Sequence, residues 1–138
     1  MKPSEVQDTV ISALEAWPTV SAFVPIILDD SQTNWERDVL EALDARGVCI
    51  VVGNVVSTNA EIAFPGKQAV VKCTAWLEIY ETRQVAHSPE GVALIEAVVE
   101  ALIQNKLVTG FTSHAPRTEK GGTVTECLFE VTATIGVP

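Results

Sequence analysis

The sequence predicts an α+β fold: a mostly antiparallel sheet with helices packed on one face, in the order α-α-β-β-α-β-β. Three observations carry this. Residues 68–81 and 123–137 alternate apolar and polar side chains with a period of two, the mark of half-buried strands. Two stretches near the N-terminus, and one between the long strands, repeat apolar residues at helical spacing. The connections are short, which favours antiparallel neighbours, with the intervening helix covering a sheet face.

The elements follow in order. PSEVQDTVISALEAWP reads as the first helix, with Ser4 as cap and Gln7 at the capping-box spacing. Val6, Val10, Leu14 and Trp17 make its apolar face, and Pro18 stops it. TVSAFVPIILDD is irregular, with a short extended piece around Pro25–Leu28. TNWERDVLEALDARG is a second helix, with Thr33 three residues before Glu36 and Gly47 as the C-terminal cap. Its inward stripe is Trp35, Val39, Leu40 and Leu43.

VCIVVGNVV is a strand apolar on both faces, so it is either interior or covered by a neighbouring subunit. STNAEIAFPGK carries loop signals, with a turn at Pro65-Gly66. AVVKCTAWLEIYE then turns Ala69, Val71, Cys73, Ala75, Leu77 and Ile79 inward. Its other face carries Val70, Lys72, Thr74, Trp76, Glu78 and Tyr80.

After the loop TRQVAHSPEG, Ser88, Pro89 and Glu90 start a third helix, VALIEAVVEALIQN. Val92, Ile95, Val98, Val99, Leu102 and Ile103 face inward, and Asn105 ends it. LVTGFTS is a short strand and HAPRTEKGG a polar loop. TVTECLFEVTATIGV is the last strand, with Cys127, Phe129, Val131, Ala133 and Ile135 on one face. Val124, Glu126, Leu128, Glu130 and Thr132 lie on the other. The loop and its flanking strands form a protruding hairpin.

The chain is expected to be one domain, residues 1–138, since no linker or repeat divides it. No apolar run is long enough to span a bilayer, and MKPSEVQDTV lacks an apolar signal core, which points to a soluble protein made in a cytoplasm. Cys49, Cys73 and Cys127 are odd in number, widely spaced and set among apolar neighbours, so they read as buried free thiols. His87 and His114 sit in polar loops away from the cysteines, so no metal site is expected. The carboxylate pairs, such as Asp29-Asp30, mark no cleft, and the glycines form no phosphate-binding pattern. No catalytic, metal or cofactor-binding residues are therefore named, no cofactor is expected, and the chain does not read as an enzyme.

The charge is −9, with 18 acidic residues against nine singly scattered basic ones, which disfavours tight binding to nucleic acid. What remains is the second sheet face. Large aromatics among charges there suit a subunit or partner interface, although a helix partly covering that face would also account for them. The candidate interface residues are Val70, Lys72, Trp76, Tyr80 and Leu128 on the strands, and His114, Arg117 and Lys120 in the polar loop. Reversing the charge of Arg117 and Lys120 is expected to weaken docking and leave stability nearly unchanged.

The order of elements is a short helix (VQDTVISALEAW), a divergent middle, a long strand (AVVKCTAWLEIYE), an alanine-rich helix (PEGVALIEAVVEALIQN) and a final hairpin strand (GGTVTECLFEVTATIGV). This resembles the tail terminator, or tail-completion, proteins of long-tailed bacteriophages and phage-like particles. The second helix departs from that pattern. The resemblance implies a homo-hexameric ring on the head-proximal end of the tail tube, within the virion. Such a ring ends tube polymerisation and meets the tail tube protein on one side and a head connector or neck protein on the other. DNA passes through it without specific binding, and no membrane is involved. Six copies at −9 would make a ring of roughly −54, which repels DNA and lets it slide. The alternatives are a neck or head–tail joining adaptor ring and a cytosolic ligand-binding domain.

Overall fold

The computed structural model describes residues 1–22, 24, 27–63, 67–82, 91–119 and 122–136. The expected features at Pro25, Pro65-Gly66, His87–Glu90 and Lys120-Gly121, and the side chain of Val92, lie outside the described residues.

A 3-10 turn at Pro3–Glu5 leads into α1 (Val6–Ala16). The expected cap at Ser4 is absent: Ser4 lies inside the 3-10 turn, and Glu5 takes the capping position. Gln7 is turned inward instead, and is only 9% exposed. Its Nε2 lies 2.8 Å from Asp29 Oδ1, 2.7 Å from Asp30 Oδ1 and 3.0 Å from the Val52 carbonyl oxygen, its two N–H groups shared among these three acceptors, tying α1 to the strands below it. Pro18 ends α1 as expected and opens a second, one-turn helix, α2 (Pro18–Ser21), because proline suits a first helical position.

β1 (Ile27–Asp29) and β2 (Val48–Val52) pair in parallel, with α3 (Trp35–Arg46) between them. A parallel pair needs a crossover, and α3 is that crossover. It starts at Asn34 in the left-handed region (φ 65°), with no side-chain cap from Thr33. It ends at Gly47 (φ 78°), where glycine carries no Cβ penalty.

The rest of the sheet is antiparallel. β3 (Ser57–Ala63) and β4 (Gln68–Thr82) pair residue by residue, so the segment expected to be a loop is an edge strand. β4 and β7 (Gly122–Gly136) pair over their full 15 residues. β5 (Val108–Ser113) and β6 (Arg117–Glu119) both line β7, and α4 (Gly91–Gln104) joins β4 to β5. The strand path is β1-β2-β4-β7-β5, with β3 beside β4 and β6 beside β7.

The fold class is the one the sequence predicts, a mixed α and β chain with a mostly antiparallel sheet. α1, α2 and α4 share one face. Their Val6, Val10, Leu14, Val20, Leu94, Val98 and Leu102 pack on Ile50, Cys73, Leu77, Ile79, Cys127, Phe129 and Val131. Each fully buried Leu or Ile in this core contributes about 1.5–3 kcal/mol. One helix differs from the one-face expectation: α3 lies on the opposite face, where Val39 and Ala42 pack with Leu28, Cys49 and Val51. This explains why β2 is apolar throughout. It is covered on both faces from within the same chain.

The inward stripe expected for α4 also shifts. Leu94, Ala97 and Ala101 are buried with Val98 and Leu102, while Ile103 is 61% exposed.

Candidate interaction surface

The second face of the sheet takes its shape from α3. Trp76 and Tyr80 are partly buried, and both pack against the small core beneath that helix. Trp76 has a prepared seat. A Cβ placed on Gly53 would fall within the indole, so glycine is required there, and the Gly53 N–H donates to the Trp76 carbonyl at 2.9 Å. Leu128 is the direct cross-strand partner of Trp76, and Val124 that of Tyr80.

Between these rows, Glu78 and Glu126 face each other across β4 and β7. Like charges directly opposite are destabilising. Arg117, on β6, resolves this pair: Nη2 lies 3.3 Å from Glu78 Oε2, and Nη1 lies 3.5 Å from Glu126 Oε2. The Tyr80 hydroxyl donates to the same Glu78 oxygen at 3.0 Å.

The expected interface residues are thus brought together only in part. Trp76, Tyr80, Leu128 and Arg117 form one neighbourhood. Val70 (42% exposed) and Lys72 lie further along β4, beside β3. His114 is exposed, with its backbone N–H donating to the Glu126 carbonyl at 2.9 Å. Lys120 lies outside the described residues. The hairpin is not a protruding arm in its described part. Arg117–Glu119 runs beside β7 residues that are themselves paired with β4, and Gly122 is level with Thr82.

Sequence reasoning missed the wall of this surface. Leu40, expected inside, is 53% exposed and borders a groove between α3 and the sheet. The signal was available in the strand after α3. An apolar β2 with no bias to one face asks for cover on both sides, and α3 is the helix adjoining it.

The thiols are buried. Burial pushes Cys49 and Cys127 up to about 12, with the nearby charges of Asp38 and Glu126 respectively adding to it. Burial raises Cys73 as well. Thiols held protonated in this way are poor nucleophiles. Among the described residues, no group of three or more His, Cys, Asp or Glu side chains converges to hold a metal.

No known protein-family model matches the chain, and no curated protein matches it.

Proposed function

We propose that this chain is a structural ring subunit of a phage tail or phage-like particle, working as the tail terminators it resembles do. In this reading a homo-hexamer caps the head-proximal end of the tail tube, ends its growth and offers the docking surface for a connector or neck protein. The observation that carries it is the pair of unlike sheet edges that no other described strand pairs with. β3 flanks β4 on one side and β5 flanks β7 on the other. Cyclic association needs two different patches, one meeting the other on the next copy. The two edges suit each other. They run in opposite directions through the antiparallel order β3-β4-β7-β5, and they have seven and six residues. A β3 edge against the next copy's β5 edge makes an antiparallel ladder. The order and size of the elements, and the acidic charge around a DNA passage, support the same reading.

The test is assembly. Light scattering and electron microscopy of the chain, alone and with purified tail tubes, are expected to show rings of six copies, with tubes capped at one end. Gly53 donates its N–H to the Trp76 carbonyl and Thr82 its N–H to the Gly47 carbonyl, so even-numbered β4 residues bond towards β2 and β3. Asn59, opposite Lys72, points its N–H at β4, and by alternation residue 60 points its N–H outward. Ala60→Pro, at an exposed position, is then expected to keep the fold and lose the ring. A chain that stays monomeric both alone and with tubes overturns the reading. An Ala60→Pro chain that still assembles removes the β3 edge from it. Recovery of the chain with headless tails separates a terminator from a neck adaptor.

A further inference from the structure

A groove of about 910 Å³ runs along the second sheet face between α3 and the ends of β4 and β7. One wall is the row Glu36, Leu40, Leu43 and Asp44 of α3, and the floor includes Tyr80 and Val124. From Glu36 to Asp44 the wall extends roughly 12 Å along the helix axis.

The shape fits a helix. On the other sheet face α1 and α4 lie against each other over the strands. On this face α3 sits over β1 and β2 with no described helix beside it, and the groove occupies that neighbouring place.

The charge selects the kind of helix. Among the described residues, four acidic side chains line the groove (Glu36, Glu41, Asp44 and Glu81) against one basic side chain, Arg37. Arg37 is already 3.2 Å from Glu41 in an ion pair along α3. A second copy of this chain meeting groove to groove is a poor occupant, because two such acidic rims repel.

We propose that the groove is a docking site for a cationic amphipathic helix of a different protein. Its apolar stripe fills the space between Leu40 and Tyr80, and flanking Lys or Arg residues meet Glu36 and Asp44. This docking is separate from the sheet edges and stands whether or not the chain forms a ring.

The probe is a synthetic Leu/Lys peptide of roughly 18 residues, about five helical turns. Its controls are a shuffled peptide of the same composition without a stripe, and a Leu/Glu peptide with one. Titration calorimetry is expected to give binding to the striped Leu/Lys peptide, with both controls weaker by about tenfold or more. Leu40→Asp adds negative charge yet is expected to weaken binding by about tenfold or more, since it removes a buried apolar contact. Leu40 is half-exposed on a helix surface, and thermal melting checks that its variant folds. Glu36→Lys/Asp44→Lys, at two exposed positions, carries the same test through charge and is also expected to weaken binding. Unchanged or tighter binding by Leu40→Asp overturns the proposal, because the peptide would then be held only by general attraction to an acidic surface. Equal binding of the striped and shuffled peptides overturns it too. Self-association that Leu40→Asp abolishes would assign the groove to a second copy instead.

Discussion

Gly53 lets Trp76 close over β2, because any Cβ at that position would occupy the space of the indole. Gly53→Ala is therefore expected to force the ring out of its seat at a cost of about 1–3 kcal/mol, as overpacking does. Urea unfolding followed by tryptophan fluorescence measures it, and a variant with unchanged midpoint and emission would contradict the seat. The cysteines make a second case. Cys49 and Cys127 are raised from 9.0 to about 12 in the fold, so between those values the unfolded chain releases protons that the native chain keeps. Their contribution is fully present below pH 9 and is lost as pH rises towards 12, by up to about 1.4 kcal/mol per pH unit per thiol. Stability at about pH 10, compared with that at about pH 8, is expected to fall more steeply in the native chain than in Cys49→Ala/Cys127→Ala. Parallel slopes in the two chains would remove the thiols as the cause. The burial of these thiols was legible from their apolar neighbours, whereas the seat for Trp76 was not, because Gly53 and Trp76 meet only through strand pairing.

Among the elements, β6 departs furthest from its expectation. HAPRTEKGG reads as a polar loop because Pro116 and two glycines dominate its local signal. In the fold, Arg117–Glu119 forms a short strand against β7, which places Arg117 over two opposed carboxylates. The expectation that charge reversal there leaves stability unchanged is accordingly revised. Arg117→Glu is expected to cost about 1 kcal/mol, kept small because the guanidinium is half-exposed and screened. Arg117→Glu combined with Glu126→Gln should recover part of the loss. Equal melting temperatures for the native chain and Arg117→Glu would show that the cluster contributes nothing. β4 and β7 were legible almost to the residue, because one face of each is deeply buried and alternation leaves no other register. β3 was not, because STNAEIA is polar and small, and its strand state comes from pairing with β4.

At the scale of the whole molecule, one sheet carries two cores. The larger lies under α1, α2 and α4, and the smaller under α3. This division changes what the aromatics on the second face do. Trp76 and Tyr80 are held from within by α3, so only their remaining surface is left for a partner. It also creates the groove, since α3, the one described helix on this face, cannot cover a face as wide as this sheet. By itself the sequence determined the number of long strands, which of their faces is apolar, the three principal helices, the inert thiols and the acidic charge. Each of these is written in local periodicity or composition, and burial of apolar surface enforces it wherever the chain folds. The face chosen by α3, the exposure of Leu40, the seating of Trp76 on Gly53 and the Glu78–Arg117–Glu126 cluster were decided only by tertiary structure. They depend on which distant segments become neighbours, and that follows from the parallel β1–β2 crossover and the pairing of β4 with β7.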